Sequence, residues 1–169
     1  MWIDPRDPEH VIVGTDGGVY VSYDGSRAWE QLANLPIGQF YAIGLDMRKP
    51  YRVYGGLQDN GSWGGPSRVR EPYIGNESWE FLHGGDGFYC RVDPADPWTL
   101  YCESQYGMPV RVDLRTGTSA GIRPKGSALR FEWNTPIEIA PSDSKRIYIG
   151  AHKLFESPNR GADWKDISG

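Results

Sequence analysis

Asp93-Pro94-Ala95-Asp96-Pro97, followed by the apolar pair Leu100-Tyr101, is one copy of a pattern that returns along the chain. Asp4-Pro5-Arg6-Asp7-Pro8 precedes Val11-Ile12-Val13, and Asp46-Met47-Arg48-Lys49-Pro50 precedes Val53-Tyr54. Ala140-Pro141-Ser142-Asp143 precedes Ile147-Tyr148-Ile149. The copies start at residues 4, 46, 93 and 140, in steps of 42, 47 and 47. A period in this range marks a repeat architecture. Each copy sets a turn between two short β-rich runs, so the unit is a small antiparallel sheet. Tandem sheets of this size predict propeller blades. The expected fold is all-β: a β-propeller of four four-stranded antiparallel blades, spanning about 1–36, 37–84, 85–130 and 131–169. It is expected to be part of a larger ring or to assemble into one.

Composition agrees. In 169 residues, Gly 22, Pro 13, Trp 7 and Tyr 10 give the balance of a turn-rich, aromatic-rich β protein. The net charge of -4 and the scattered basic residues argue against nucleic acid as a partner. No apolar run approaches the roughly 18 residues that would span a membrane. No signal peptide is read at the start, because Trp2-Ile3 is already strand-like. Two cysteines are too few for a disulfide scaffold. Pairing Val92 with Leu100 sets Cys90 opposite Cys102, either as two buried thiols or as a cross-strand disulfide.

The runs order themselves as four strands per blade. Blade one reads as Trp2–Asp4, His10–Thr15, Val19–Ser22 and Trp29–Leu32. Blade two reads as Phe40–Asp46, Arg52–Leu57, a weak strand near Ser62–Trp63, and Trp79–Leu82, with an extended loop from Gly64 to Asn76. Blade three reads as Gly87–Val92, Thr99–Glu103, Val110–Asp113 and Ser119–Ile122. Blade four reads as Pro136–Ala140, Arg146–Ile149, Leu154–Glu156 and Trp164–Ile167. Up-and-down strands sort their connections onto two faces. The Asp-Pro turns and the connections between strands three and four share one face. The opposite face collects the connections between strands two and three and those between blades. Loops gathered at one end of a rigid scaffold are where sites are built.

Ser22-Tyr23-Asp24-Gly25-Ser26-Arg27-Ala28-Trp29 and Ser157-Pro158-Asn159-Arg160-Gly161-Ala162-Asp163-Trp164 resemble the Asp-box, or bacterial neuraminidase repeat, Ser/Thr-x-Asp-x-Gly-x-x-Trp. The first departs from it with Ser26 at the glycine, the second with Asn159 at the aspartate, and blades two and three lack it. In such a box Ser22, Asp24, Ser157 and Asn159 tie the turn, Gly161 takes a left-handed conformation, and Trp29 and Trp164 pack between blades. Gly55-Gly56-Leu57-Gln58-Asp59-Asn60-Gly61-Ser62-Trp63, Gly84-Gly85-Asp86-Gly87-Phe88, Glu103-Ser104-Gln105 and Trp133-Asn134-Thr135-Pro136 widen the resemblance to bacterial glycosyl-hydrolase-like proteins with sortilin-type propellers. That resemblance implies an extracellular or periplasmic setting and a chain that is a piece of a propeller or a short relative.

The face away from the boxes gathers Asp16, Asp59, Asn60, Trp63, Asp86, Glu103, Gln105, Tyr106, Trp133, Asn134 and His152. Rings stack on pyranose faces, while amides and carboxylates bond hydroxyls, so Asn60, Trp63, Gln105, Tyr106, Trp133, Asn134 and His152 are candidate ligand contacts. Asp59, Asp86 and Glu103 are the candidate catalytic carboxylates for glycoside hydrolysis. Asp16, Asp59 and Asp86 also fit ordinary turn roles beside glycine, whereas Glu103 ends a strand with no turn to serve. His10 and His83 read as structural. No spacing supports a zinc site, a phosphate loop or a Gly-x-Ser elbow, and no cofactor or metal is expected. The favoured function is a non-catalytic module that binds carbohydrate or protein. A xyloglucanase-type hydrolase and a self-associating structural fragment are the alternatives.

Overall fold

Strands one to four of each repeat pair in chain order, giving four sheets that are each a four-stranded antiparallel meander. The first holds β1 (Trp2–Asp4), β2 (Asp7–Thr15), β3 (Gly18–Ser22) and β4 (Glu30–Gln31). The second holds β5 (Phe40–Leu45), β6 (Arg52–Leu57), β7 (Gly61–Pro66) and β8 (Glu80–His83). The third holds β9 (Gly87–Asp93), β10 (Asp96–Ser104), β11 (Met108–Asp113) and β12 (Thr118–Gly121). The fourth holds β13 (Ile137–Ala140), β14 (Asp143–Gly150), β15 (Leu154–Ser157) and β16 (Lys165–Asp166). Asn76–Ser78 form a single helical turn, the only helix among the described residues.

This computed structural model describes residues 1–34, 37–126 and 128–169, in two units, Met1–Gly38 and Gln39–Gly169. The expected boundary at residue 36 lies outside the described residues. Blade one forms the first unit, and blades two, three and four form the second.

The recurring aspartate builds its own turn. Asp93 Oδ1 accepts the backbone N–H groups of Ala95 (2.9 Å) and Asp96 (3.2 Å). Asp4 Oδ1 accepts Arg6 N–H at 2.9 Å, and Asp46 Oδ1 accepts Arg48 N–H at 3.3 Å. A carboxylate that ties down the amide two residues on makes a tight reversal without help from the rest of the fold.

The turns at Ser22–Trp29 and Ser157–Trp164 are also built alike. Ser22 Oγ donates to Asp24 Oδ1 (2.9 Å) and accepts Ser26 N–H (2.9 Å). Ser157 Oγ donates to Asn159 Oδ1 (3.0 Å) and accepts Gly161 N–H (2.8 Å). Asp24 then accepts Ala28 N–H, and Asn159 accepts Asp163 N–H, each at 2.9 Å. Ser26 (φ 70°) occupies the left-handed position that Gly161 (φ 85°) fills in blade four. The two tryptophans differ. Trp164 is half-buried and its indole N–H reaches Ile122 O at 2.7 Å. Trp29, expected to be buried, is 42% exposed. Its indole N–H makes no hydrogen bond among the described residues.

Within the second unit the core lies in the seams between blades. Successive side chains on β10 point to opposite sides. Leu100 and Cys102 join Tyr54, Leu82, Cys90 and Val112 in the seam between blades two and three. Tyr101 joins Ile122, Ile137 and Ile147 between blades three and four. Val92 pairs with Leu100 and Cys90 with Cys102, as expected. Both cysteines are fully buried thiols with their sulfurs 3.1 Å apart. A Cβ on Gly56 would lie 2.0 Å from the Gly87 carbonyl carbon, so β6 and β9 meet backbone to backbone.

The third strand of blade two is stronger than its sequence suggests. β7 runs on to Pro66, so the loop expected from Gly64 starts at Ser67. Gly64 and Gly65 are strand residues because aromatic rings cover them. A Cβ would fall 2.7 Å from Tyr54 Cδ1 at Gly64 and 2.5 Å from Trp79 Cδ2 at Gly65.

Candidate functional site

One face of the second unit is laced together by its own backbone. Gln58 N–H donates to Gln39 O (3.1 Å), and Gln105 N–H donates to Asp86 O (3.2 Å). These are equivalent bonds in blades two and three, each fixing a loop between strands two and three to the segment entering the blade. Gly61 N–H to Gly85 O (2.8 Å) and Tyr106 N–H to Trp133 O (3.2 Å) carry the lacing from blade to blade. His152 N–H to Arg130 O (2.8 Å) ends the series, and His152 Nδ1 accepts Arg130 N–H at 3.2 Å. The exposed His152 is therefore a loop tie.

The three candidate carboxylates take different places. Asp59 is exposed in a left-handed turn (φ 59°) and donates its backbone N–H to Asp86 Oδ1. Asp86 is buried, and its own N–H donates to Gln105 Oε1 at 2.8 Å. Asp59, Asp86 and Gln105 thus form one hydrogen-bonded group. Glu103 is also buried, at 0% exposure, but packs toward blade four, where Oε1 accepts Thr135 N–H at 3.3 Å. Its Oε2 has no hydrogen-bond partner among the described residues. Burial pushes the Glu103 carboxyl up to about 8, against the pull of the Thr135 and Gly107 amides. At neutral pH it is mostly a neutral acid.

The aromatic candidates belong to a longer row. Tyr41 stacks on Phe88 with centroids 4.6 Å apart. Phe88 meets Trp133 edge-on at 6.1 Å, and Trp133 meets Tyr106 edge-on at 5.0 Å. Phe88 is buried, whereas Tyr41 and Trp133 are each 42% exposed and Tyr106 is 57% exposed. Asn134 is exposed next to Trp133. Tyr41 and Phe88 went unnoticed in the sequence, although both stand five residues before a turn aspartate, Asp46 and Asp93. Aligning the repeats on that aspartate brings them out.

Trp63 and Asn60 sit apart from this row. Trp63 Nε1 donates to Asn60 O at 2.7 Å, and its ring meets Phe81 edge-on at 5.3 Å. Asn60 Nδ2 donates to Gln58 O at 2.9 Å. Asp16, in the first unit, occupies the β2–β3 turn, where Thr15 Oγ1 accepts Gly17 N–H at 3.1 Å.

The opposite face carries a cleft of about 240 Å³ between the Asp46 and Asp93 turns. Its polar groups are already satisfied. Arg48 pairs with Asp46 at 2.5 Å, reaches Tyr54 Oη at 2.6 Å and lies 4.8 Å over the Trp98 ring. Among the described residues no three His, Cys, Asp or Glu side chains converge to hold a metal. No helix among them is long and apolar enough to cross a membrane.

No protein-family model matches the sequence. No curated protein matches it either. Solved structures do. A GH74 enzyme from Niastella koreensis superposes with a TM-score of 0.58 at 18% identity, covering 99% of this chain and 29% of that one. An auxiliary nutrient binding protein from Bacteroides thetaiotaomicron superposes at 0.53 and 15% identity, covering 99% of this chain and 41% of that one. YCF48 bound to a D1 peptide gives 0.52 and 15%, with 94% and 50% covered. The fold is that of a β-propeller. The chain spans between about a quarter and a half of the length of the structures it matches.

Proposed function

We propose that this chain is a non-catalytic β-propeller segment that binds carbohydrate on its laced face. The row Tyr41, Phe88, Trp133 and Tyr106 carries this reading. Three of its rings are open to solvent; Asn134 follows Trp133 and Gln105 precedes Tyr106 in the chain, and Asp59 is tied to Gln105 through Asp86. Exposed rings take the apolar faces of sugars, while nearby amides and carboxylates bond the hydroxyls. The likeness of the turns at Ser22–Trp29 and Ser157–Trp164 supports the Asp-box kinship. An extracellular or periplasmic setting goes with that kinship.

Hydrolysis needs two carboxyl groups facing one bond across roughly 5–10 Å. Here Glu103 is shut away from solvent and Asp86 is occupied by the Asp59 amide. Both positions serve the scaffold, which favours binding over turnover.

A panel of neutral gluco-, xylo- and manno-oligosaccharides, followed by calorimetry and tryptophan fluorescence, tests the assignment. Saturable binding without release of reducing sugar is expected. Trp133→Ala and Tyr106→Ala should each weaken it roughly tenfold, about 1.4 kcal/mol. Sugar release that disappears in Glu103→Gln would replace the binding module with a hydrolase. Binding untouched by either aromatic change would move the site elsewhere.

A further inference from the structure

Blade three sets its two cysteines opposite each other. The Asp93 turn joins β9 to β10, and the bonds from Ala95 and Asp96 N–H to Asp93 Oδ1 fix where the hairpin reverses. From there Val92 pairs with Leu100, Arg91 with Tyr101 and Cys90 with Cys102. Opposed residues of an antiparallel pair have Cα atoms about 4.5–5.5 Å apart, with side chains on one side of the sheet. A disulfide takes roughly 4.4–6.8 Å between those atoms, so the paired strands already supply its span. The two sulfurs are 3.1 Å apart. They are the only cysteines in the chain, so no other thiol of this protein competes for either.

The surroundings narrow what these sulfurs can become. Both residues are fully buried, among Tyr54, Leu82, Leu100 and Val112 in the seam between blades two and three. Their mutual contact is the one hydrogen bond that either sulfur makes among the described residues. β5 lies against the same place: a Cβ on Gly44 would overlap the Cys90 carbonyl oxygen. A glutathione adduct or a sulfinic acid would add bulk and charge to this closed apolar seam. A disulfide adds no atom. It removes two hydrogens and draws the sulfurs in to about 2.05 Å. Burial also pushes the Cys102 thiol well up, so little thiolate is present once the seam has closed. The reactive chain is therefore the one still folding, whose thiols are open to solvent.

We propose that Cys90 and Cys102 are a disulfide site, closed during folding by a small-molecule disulfide such as oxidised glutathione. One cysteine thiolate attacks the glutathione disulfide, forming a mixed disulfide and releasing one glutathione thiolate. The other cysteine thiolate attacks the protein sulfur of that mixed disulfide and releases the second. The S–S bond of the oxidant breaks and the Cys90–Cys102 bond forms. Two electrons pass from the protein thiols to glutathione, and the two thiol protons end on the released glutathione. The bond forms whether or not the laced face binds sugar.

Oxidative refolding of the wild-type chain supplies the test. Reduced, urea-unfolded chain is refolded with mixed reduced and oxidised glutathione, and in parallel with dithiothreitol. Each sample is then unfolded with iodoacetamide and weighed by mass spectrometry. The glutathione sample should be two hydrogens lighter and take no alkyl group, whereas the dithiothreitol sample should take one on each cysteine. Trypsin cuts after Arg91, between the two cysteines, so the disulfide should join two peptides that reductant separates. The bond should survive a roughly tenfold excess of reduced over oxidised glutathione. It should raise the thermal midpoint by roughly 5–10 °C over the dithiothreitol sample. The same alkylation of chain secreted to a bacterial periplasm gives a reading that needs no refolding. Both cysteines alkylated after either route, or capped by glutathione, overturns the proposal. So does an oxidised chain that melts below the reduced one, because the bond would then strain the strands that carry it.

Discussion

Thr135 donates its backbone N–H to Glu103 Oε1 at 3.3 Å, and this bond crosses the seam between blades three and four. Glu103 keeps Oε2 without a hydrogen-bond partner and stands at about 8 against an ordinary 4.5. The folded chain holds the proton more tightly than the unfolded chain. The contribution to stability is therefore complete below about 4.5 and is lost as pH rises toward about 8. Glu103→Gln never ionises and should flatten this slope, leaving the variant more stable than wild type at pH 9 by a few kcal/mol at most. Urea midpoints from pH 4 to 9 measure it. Parallel wild-type and variant profiles would refute it.

Arg160 is the partner of a carboxylate with no solvent contact, since Asp93 is fully buried. Arg160→Ala should cost about 3 kcal/mol, mostly from the Asp93 charge left behind. The double variant Arg160→Ala with Asp93→Asn, which keeps the Oδ1 acceptor of the turn but not the charge, should recover part of that loss. Chemical denaturation of both, read by tryptophan fluorescence, separates the stranded charge from lost packing.

The two tryptophans ending the matched turns should respond differently. Trp164→Ala removes a ring from the blade three–four seam together with its bond to Ile122, and should cost about 3 kcal/mol. Trp29→Ala, at a ring that is 42% exposed, should cost less than about 1 kcal/mol. Equal losses would mean that Trp29 is as well packed as Trp164.

Gly56→Ala should be among the most damaging small changes. The added methyl meets Gly87 and Phe88 backbone rather than a side chain that could swing away. A loss of about 3 kcal/mol or more is expected by thermal melting. Gly117→Ala is a useful contrast: nothing lies within 4 Å of its Cβ position, and its cost should come from its left-handed φ of 67°.

What the sequence made legible is what neighbouring residues decide for themselves. The Asp-Pro turns, the Ser-x-Asp and Ser-x-Asn turns and the pairing of Cys90 with Cys102 all follow from bonds or alternation within a few residues. Burial does not follow locally. Trp29 and Trp164 end turns of the same internal geometry, but the residue that covers Trp164 is Ile122, 42 positions away in another sheet. Glu103 looked accessible because it ends a strand. It is enclosed because β10 turns that side chain into the next seam, under Thr135. Tyr41 and Phe88 drew no attention because each stands alone in its own stretch of sequence. They form a row only when β5 and β9 lie side by side.

The lacing of the candidate face uses main-chain atoms almost throughout: Gln58 to Gln39, Gly61 to Gly85, Gln105 to Asp86, Tyr106 to Trp133 and His152 to Arg130. Bonds of this kind are indifferent to most side chains. Exposed residues such as Tyr106, Asn134 and Lys153 can then be exchanged with little harm to the frame that holds them. The loops behave as a fixed rack with removable fittings. Selection, or a designer, could give this face a new preference one residue at a time while the chain stays folded.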